Sequence, residues 1–466
     1  MARVTRIAIV GGGPGGYEAA LVAAQLGAEV VVVDRDGLGG SAVLTDCVPS
    51  KTLIATAEVM TIAAGSTELG VVLGDGSEPD GVVGVDLATV NARVKRLARA
   101  QSADIERRLE REGVVVVRGT GRLDGPQRVV ADLADGGTDT FEADAVLVST
   151  GAHPRVLAGA EPDGERILTW TQLYELADLP SRLVVVGSGV TGAEFASAYD
   201  ALGADVVLVS SRDRVLPGED ADAAEVLEGV FTRRGMTVLD RSRATSVKRV
   251  GDGVVVALED GRTVEGSHCL MAVGSVPNTS GIGLEEAGVA LGKGGYLTVD
   301  KVSRTSARGV YAAGDCTGVL MLASVDAMQG RIAMWHALGD AVTPLKLSTV
   351  SSNVFTEPEI ATVGWSQDAV ESGRVAARTI KLPLATNARA KMQGMQDGFV
   401  KLFCAPGNGV VIGGVVVAPR ASELIFPVTI AVEQSLTVDQ LAQTFTVYPS
   451  LTGSIAEAAR QLHLHD

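Results

Sequence analysis

Residues 7–16 read Ile7-Ala8-Ile9-Val10-Gly11-Gly12-Gly13-Pro14-Gly15-Gly16, a short apolar run followed by a glycine-rich turn. The apolar run predicts a buried strand, and the glycines predict a tight turn into a helix over Tyr17–Leu26. A second strand, Val30-Val31-Val32-Val33-Asp34, follows this helix. Strand, glycine turn, helix and strand in this order are typical of a unit that binds a dinucleotide pyrophosphate at the helix N-terminus.

The same pattern occurs a second time. The apolar run Leu183–Val186 precedes Gly187-Ser188-Gly189-Val190-Thr191-Gly192, a predicted helix Ala193–Leu202 and a strand ending at Ser210. The first glycine and the end of the second strand are 23 residues apart in both copies, since 34 − 11 = 210 − 187 = 23. Two complete copies predict two nucleotide sites, built on the glycines Gly11, Gly13 and Gly16 and on Gly187, Gly189 and Gly192.

Four further segments extend the pattern over most of the chain. Thr305-Ser306-Ala307-Arg308-Gly309-Val310-Tyr311-Ala312-Ala313-Gly314-Asp315 follows the second unit, and Val354-Phe355-Thr356-Glu357-Pro358-Glu359-Ile360-Ala361 lies beyond Pro344. Ser149-Thr150-Gly151 and Gly274-Ser275-Val276-Pro277-Asn278 flank the second unit. Taken in their order along the chain, these segments resemble the pyridine nucleotide–disulfide oxidoreductases, the flavoprotein family of dihydrolipoamide dehydrogenase, glutathione reductase and mercuric reductase.

The resemblance implies an α/β fold with two Rossmann-like domains and an α+β C-terminal dimerisation domain. It implies an FAD domain at 1–149 and 276–343, an NAD(P) domain at 150–275 and an interface domain at 344–466. The expected cofactors are FAD and NADPH or NADH, and the expected assembly is a homodimer. In the family, Asp34 would bind the FAD ribose and Asp315 the ribityl chain, and the crossings between domains would place Thr150, Gly151 and Gly274 at the cofactors.

Composition excludes several classes of protein. The chain has 466 residues, of which 46% are hydrophobic and 21% charged, and these are ordinary values for a globular α/β protein of more than one domain. A net charge of −16 argues against a nonspecific nucleic-acid partner. No apolar stretch approaches the roughly 20 residues of a membrane span. Because no leader precedes the first strand and the four cysteines lack metal spacing, we predict a soluble cytoplasmic protein without a metal site.

The second nucleotide unit differs from the first where specificity is decided. Asp34 ends the second strand of the first unit, where a carboxylate accepts ribose hydroxyls and would repel a 2′-phosphate. Ser210 takes this position in the second unit, and Arg212 and Arg214 follow it. Arginine pairs with phosphate in two-point geometry. The pattern favours NADPH, although NADH could be used comparably if both arginines are solvated loop charges.

Lys51 and Glu194 are the predicted electrostatic pair of the flavin site. The family places the lysine of the Pro49-Ser50-Lys51 turn near flavin N5, paired with the glutamate just after the second glycine motif. A cation there stabilises the negative charge that develops as the flavin is reduced. A purely structural ion pair is the alternative.

Cys47 is alone where the family has two cysteines. The residues of the family's redox disulfide correspond to Ala42 and Cys47, and a disulfide needs two sulfurs. Cys47 corresponds to the sulfur nearest the flavin, and with Lys51 one turn further along a probable helix it is a candidate thiolate. A leftover small residue without a redox role is an equal alternative.

The C-terminal segment Val447-Tyr448-Pro449-Ser450-Leu451-Thr452-Gly453 shows a matching loss. In disulfide reductases, the position of Tyr448 holds a histidine that manages thiol protons across the dimer interface, and the position of Gly453 holds its orienting glutamate. Tyrosine is a poor base at neutral pH. The thiol, the base and its carboxylate are thus replaced together, which leaves space for a flat acceptor.

These features predict an FAD-dependent NAD(P)H:quinone oxidoreductase in which Cys47, Lys51, Glu194 and Tyr448 line the reaction site. Two alternatives remain open: a soluble transhydrogenase that exchanges hydride between nucleotides, and a non-catalytic flavoprotein that acts as a scaffold or redox-sensing subunit. Dihydrolipoamide oxidation and mercuric reduction are disfavoured, because Ala42 removes the exchanging thiol and the chain has no additional cysteine pair.

Overall fold

The computed structural model describes residues 4–71 and 84–463. Within these residues the chain forms two compact units, one within 1–52, 91–155 and 274–346 and the other within 53–90, 156–273 and 347–466. Each unit contains a parallel sheet, and the second also contains an antiparallel C-terminal sheet. The predicted fold class is therefore confirmed, whereas the predicted domain limits stay predictions.

The strands of the described residues are β1 (Arg6–Val10), β2 (Glu29–Asp34), β3 (Val115–Leu123), β4 (Arg128–Leu133), β5 (Thr138–Glu142), β6 (Ala145–Val148), β7 (Ala152–Pro154), β8 (Ile167–Thr169), β9 (Arg182–Val186), β10 (Asp205–Val209), β11 (Thr237–Leu239), β12 (Ala244–Val250), β13 (Gly253–Leu258), β14 (Thr263–Gly266), β15 (His268–Met271), β16 (Ser275–Pro277), β17 (Val310–Ala312), β18 (Ser351–Val354), β19 (Glu359–Gly364), β20 (Arg378–Pro383), β21 (Phe399–Cys404) and β22 (Val411–Ala418).

The α-helices of the same residues are α1 (Pro14–Gln25), α2 (Gly40–Leu44), α3 (Cys47–Ala64), α4 (Leu87–Arg111), α5 (Val190–Ala201), α6 (Ala221–Arg233), α7 (Ala323–Ala337), α8 (Gln367–Glu371), α9 (Ala388–Met392), α10 (Ala421–Leu424), α11 (Phe426–Glu433), α12 (Val438–Gln443) and α13 (Gly453–Gln461). Helices α1 and α5 each begin three residues earlier than predicted. In α1 the reason is Pro14, whose fixed φ suits the first helical position.

The first unit is built on a seven-stranded sheet in the order β17-β6-β1-β2-β3-β4-β5. The strands from β17 to β3 run parallel, and β3, β4 and β5 form an antiparallel extension. Helices α1 and α7 bury small residues, including Ala19 and Ala333, in one core beneath this sheet. Their contact is close, because a Cβ added at Gly330 would lie 2.0 Å from the carbonyl oxygen of Gly15.

The second unit contains a parallel sheet in the order β11-β10-β9-β15-β8 and a smaller antiparallel sheet of β12, β13 and β14. Its C-terminal portion is an antiparallel sheet in the order β18-β19-β22-β21-β20, with a buried core shared by α11 and α13. Among the described residues, no helix is both long and apolar enough to cross a membrane.

A buried ion cluster links β21 to the start of α6 within the second unit. Lys401 Nζ lies 2.7 Å from Asp220 Oδ2 and 2.6 Å from Asp222 Oδ2, and the side chains of Lys401 and Asp220 are each only 2% exposed. Asp220 also caps α6 by accepting the backbone N–H of Ala223. Burial would raise the pKa of Asp222, but hydrogen bonds and charges from Lys401 and Lys381 outweigh it and lower the pKa below its ordinary value.

We predict that Lys401→Met destabilises the second unit by about 3–5 kcal/mol, because it leaves Asp220 buried without its cation. The midpoint of urea or thermal unfolding of the holoenzyme measures this loss. Lys381→Met is the control: Lys381 pairs with Asp222 but is 46% exposed, so its removal should cost at most about 1 kcal/mol. Equal midpoints for Lys401→Met and the wild type would contradict the prediction.

Candidate functional site

The first glycine turn has the shape of a pyrophosphate cradle. A Cβ on Gly11 would lie 2.1 Å from the carbonyl oxygen of Ser149, and one on Gly16 would lie 1.9 Å from the carbonyl oxygen of Gly11. Gly13 differs, because a Cβ there would meet no atom within 4 Å. The outer two glycines therefore allow the tight packing of α1 on the strands, and the middle one leaves open space at the helix N-terminus. This geometry fits the phosphates of a dinucleotide.

The second turn repeats this arrangement in the second unit. A Cβ on Gly187 would lie 2.2 Å from the carbonyl oxygen of Ala272, and one on Gly192 would lie 1.8 Å from the carbonyl oxygen of Gly187. Gly189 again faces open space, and its φ of −72° is accessible to any residue. Both predicted sites thus have a rigid turn and an open position at the N-terminus of their helix.

Asp34 is held in place at the end of β2 in the first unit. Its carboxylate accepts backbone N–H groups from Gly12 at 2.7 Å, from Asp36 at 3.0 Å and from Gly37 at 2.6 Å, and the residue is only 8% exposed. These bonds orient the carboxylate at the rim of the glycine turn. The arrangement fits the predicted role of Asp34 toward an adenosine ribose.

Ser210 takes a different part in the second unit. Its hydroxyl is fully buried, lies 2.7 Å from the hydroxyl of Ser188 and accepts the backbone N–H of Arg212. It therefore stiffens the turn and places no charge there. The side chain of Arg212 is exposed, whereas Arg214 is half-buried, with an Nε that has no hydrogen-bond partner within the described chain.

Asp315 closes the third motif in the first unit. It follows Gly314, whose N–H donates to Gln329 Oε1 of α7 at 2.9 Å. Burial, together with the charge of Asp46, raises the pKa of Asp315 above its ordinary value. The sequence did not reveal a second carboxyl here: Asp326, in the first turn of α7, is 7% exposed, and its pKa is also raised by burial and by Asp315.

The two predicted crossings lie side by side in the first unit. Strands β7 and β16 pair antiparallel, and Asn278 Nδ2 donates to the carbonyl oxygen of Thr150 at 2.9 Å. The Thr150 hydroxyl in turn donates to the carbonyl oxygen of Asn278 at 2.7 Å. Gly151 and Gly274 both have positive φ, 69° and 89°, and an added Cβ on either would meet no neighbouring atom within 4 Å. The pairing fixes these chain reversals.

Cys47 is the first residue of α3 and is half-buried. Ala42 lies in the short helix α2 that precedes it, and Asp46 between them donates its N–H to the carbonyl oxygen of Ser41. The chain's four cysteines all lie in the described residues, and none forms a disulfide in the structure. The other three, Cys269, Cys316 and Cys404, are fully buried.

Lys51 and Glu194 are found on helices, as the sequence suggests. Lys51 is half-buried in the second turn of α3, and Glu194 is 3% exposed in α5. Glu194 Oε1 accepts the backbone N–H of Phe355 at 2.9 Å, a contact that sequence reasoning missed. The two side chains belong to different compact units, and their pairing stays a prediction.

Tyr448 lies between α12 and α13 and is 86% exposed in the single chain. Phe445 and Val447 beside it are 102% and 80% exposed. Large exposed apolar side chains that lie together in this way are typical of an interaction surface. The histidines closest to Tyr448 in sequence are His463 and His465. His463 Nδ1 lies 2.5 Å from Asp439 Oδ1, and His465 lies outside the described residues.

We predict that Gly189→Ala leaves the thermal midpoint unchanged but weakens binding of the pyridine nucleotide about tenfold or more, because its methyl group fills the open position above α5. Nucleotide titration of the holoenzyme and thermal unfolding measure the two effects. Gly192→Ala is the contrasting variant: its Cβ has no room beside Gly187, so it should lower the thermal midpoint as well. Unchanged nucleotide affinity in Gly189→Ala would contradict this assignment.

Comparison with known proteins gives the family. A family model described as pyridine nucleotide-disulphide oxidoreductase matches residues 5–330, and the model of that family's dimerisation domain matches residues 350–459. An NAD(P)H dehydrogenase (quinone) from Mycobacterium tuberculosis H37Rv is 60% identical over 472 residues, covering 99% of this chain and 95% of the relative. A dihydrolipoyl dehydrogenase from Chlorobaculum parvum is 33% identical, covering 97% of this chain and 96% of the relative.

Comparison with solved structures gives a similar fold over nearly the whole chain. The crystal structure of LpdA from Mycobacterium tuberculosis superposes with a TM-score of 0.94 at 59% identity and covers 99% of this chain and 100% of that one. The flavoprotein disulfide reductase RclA from Escherichia coli, at 22% identity and a TM-score of 0.86 over 98% of this chain and 99% of that one, shows the shared fold alone. The predicted cofactors, FAD and NAD(P)H, are those of the family. The chain belongs to the pyridine nucleotide–disulphide oxidoreductases.

Proposed function

We propose that the protein is an FAD-dependent NAD(P)H dehydrogenase that reduces quinones without a redox disulfide. The observation that carries the proposal is Ala42, which occupies the place of the second sulfur beside Cys47. The relative from Mycobacterium tuberculosis, 60% identical over nearly the whole chain, is named an NAD(P)H dehydrogenase (quinone).

The other cysteines do not offer a substitute for the missing thiol. Cys269 and Cys316 are fully buried, and burial raises the pKa of Cys269 well above its ordinary range and that of Cys316 to about 12. Cys404 is also buried, with a raised pKa. Since thiol exchange needs an accessible thiolate, these residues support a reaction without a dithiol step.

The reaction that fits is a two-electron reduction. NAD(P)H, a proton and a quinone give NAD(P)⁺ and a hydroquinone, so the nucleotide loses a hydride and the quinone gains two electrons and two protons. FAD, when bound, accepts the hydride and passes the electrons on. We assign to Lys51 the stabilisation of the negative charge that develops on the reduced flavin. We assign to Glu194, fixed by the N–H of Phe355, the positioning of that cation.

The second glycine unit supports NADPH as a donor. Ser210 leaves no carboxylate to repel a 2′-phosphate, and the half-buried Arg214 has an Nε without a hydrogen-bond partner in the described chain. Guanidinium and phosphate form strong charge-assisted hydrogen bonds. Arg214, with Arg212 beside it, is therefore our assigned contact for the 2′-phosphate.

A homodimer is part of the proposal. The dimerisation-domain match covers residues 350–459 and includes the exposed segment 445–448. Burying Phe445, Val447 and Tyr448 in a subunit interface would remove a large apolar surface from water. From there the Tyr448 hydroxyl would donate a hydrogen bond to a quinone carbonyl at the partner's flavin.

We predict two-electron behaviour in anaerobic stopped-flow experiments. The FAD-loaded enzyme, reduced with NADPH or NADH, should take up two electrons per subunit and be reoxidised rapidly by menadione but not by lipoamide. Cys47→Ser should keep quinone turnover within about threefold of the wild type, because no thiol takes part in the proposed reaction. Uptake of four electrons or turnover with lipoamide would overturn the proposal.

The stopped-flow experiment also separates the remaining alternative functions and tests the roles assigned to Lys51 and Tyr448. Hydride transfer from NADPH to an NAD analogue without quinone reduction would indicate a transhydrogenase, and purified protein without bound FAD would indicate a scaffold. Lys51→Met should slow flavin reduction about tenfold or more. Tyr448→Phe should slow only the reoxidation by quinone, and an equal loss in both half-reactions would remove Tyr448 from the acceptor site.

We predict that Arg214→Ala raises the KM for NADPH about tenfold or more and changes the KM for NADH less than about twofold, because only NADPH carries the 2′-phosphate. Steady-state kinetics with both nucleotides measure the ratio. Arg243→Ala is the matched control, since Arg243 is an exposed arginine of the same predicted domain that lies beside Glu259. An equal loss with NADPH and NADH in Arg214→Ala would mean that Arg214 only supports the loop.

A further inference from the structure

We propose that Asp326 binds FAD as a neutral carboxyl group and donates a hydrogen bond to a phosphate oxygen of the pyrophosphate, so that FAD binding is coupled to a proton. The inference rests on the proposed placement of FAD at the first glycine turn. All residues that carry it lie in the first compact unit.

The packing of α7 on α1 brings Asp326 to the N-terminus of α1. Gly330 and Gly15 touch so closely that no side chain fits between them. One turn earlier on α7, the carbonyl oxygen of Asp326 lies 3.2 Å from the position of a Cβ on Gly15. Residue 326 therefore faces the first turn of α1, whose backbone N–H groups are available to bind an anion.

The carboxyl group itself lies at the same corner. A Cβ on Gly314 would be 3.5 Å from Asp326 Cγ and 3.6 Å from Asp326 Oδ2. The Ser149 hydroxyl borders the same space, 2.8 Å from the Cβ position of Gly15 and 3.6 Å from that of Gly314. Asp326, Ser149, Gly15 and Gly314 thus enclose one small polar region at the first turn of α1.

This carboxyl group is not satisfied by the protein. Asp326 is 7% exposed, and its Oδ1 is buried without a hydrogen-bond partner among the described residues. A buried polar atom without a partner costs free energy, and such an atom at a ligand cradle is accounted for by a bond to the ligand. The pyrophosphate is the polar group that the proposed site would bring there.

Burial and a neighbouring carboxylate favour the protonated form of Asp326. Burial raises its pKa first, and the carboxylate of Asp315 raises it further. The pKa of Asp315 is in turn raised by burial and by the charge of Asp46. The thiol of Cys316 lies in the same region. The N-terminus of α7 favours a carboxylate and opposes this shift, but an exposed helix end acts more weakly than burial beside a like charge. Across the helix pair, Glu18 and Arg331 neutralise one another.

A bound pyrophosphate adds negative charge at this corner and raises the pKa of Asp326 again. The complex then holds the proton more tightly than the protein without FAD. By linkage, FAD affinity is highest below the pKa of the free protein and falls by up to about tenfold per pH unit above it, until the pKa of the complex is reached. An ionised Asp326 would instead repel the phosphates.

The test measures FAD retention by the holoenzyme rather than turnover. Diluted holoenzyme releases FAD, and flavin fluorescence at equilibrium gives the dissociation constant between about pH 6.5 and 9, where the raised pKa of a buried carboxyl is expected to act. We expect FAD binding by the wild type to weaken about tenfold or more across this range. The Asp326→Asn variant carries a neutral donor of the same shape and should bind FAD as tightly as the wild type at low pH. Its dissociation constant for FAD should change less than about twofold across the same pH range.

A second readout tests the wild-type protein directly. The infrared spectrum of the wild-type holoenzyme near neutral pH should contain the carbonyl stretch of a protonated buried carboxyl group, and this band should be absent in Asp326→Asn. All measurements are repeated in a Cys47→Ser background, so that the thiol beside the flavin does not contribute a proton. Absence of the band in the wild type would overturn the proposal.

Asp200→Asn is the matched control. Asp200 is a half-buried aspartate on α5 in the second unit, and burial raises its pKa to about 6. Its replacement should leave the pH dependence of FAD retention unchanged. If Asp326→Asn keeps the pH dependence of the wild type, the proposal is wrong even where quinone reduction is observed. If FAD binding depends on Asp326 but no quinone is reduced, only the proposed function fails.

Discussion

Both nucleotide units depend on one steric constraint. In each, the third glycine of the turn packs against the carbonyl oxygen of the first. A Cβ on Gly16 or on Gly192 would lie within 2 Å of the carbonyl oxygen of Gly11 or Gly187. Because neither contact tolerates a side chain, each helix is pressed against its sheet with its N-terminus over the strand ends. The open positions at Gly13 and Gly189, the orientation of Asp34 and the Ser188–Ser210 contact all follow from this placement.

The two units use the same geometry with opposite electrostatics. In the first, Asp34 accepts the N–H of Gly12 and keeps a negative charge beside the turn. In the second, the hydroxyls of Ser188 and Ser210 take the corresponding positions and leave the turn neutral, with Arg214 nearby. One backbone design thus fits the proposed binding of a ribose with free hydroxyls in one copy and of a 2′-phosphate in the other.

Buried charge is handled in two ways. Lys401 is paired with Asp220 and Asp222, so its burial stabilises the link between β21 and α6. Ionisation of the buried Asp326 is opposed by its burial and by the nearby half-buried Asp315, and Asp326 Oδ1 has no partner in the described chain. The first arrangement is complete within the protein, whereas we propose that a ligand completes the second. This difference separates a structural cluster from a candidate binding residue.

The sequence by itself determined the two glycine units, the fold class and the alanine at position 42, because each depends on residues close together along the chain. Glycine spacing fixes a turn locally, and Ala42 cannot carry a thiol in any fold. Only the tertiary structure decided the surroundings of Asp326 and the partners of Lys401 and Glu194. Asp326 and Gly15 are 311 residues apart, and Lys401 and Asp220 are 181 apart. Burial and pKa depend on such distant neighbours, which no local pattern encodes.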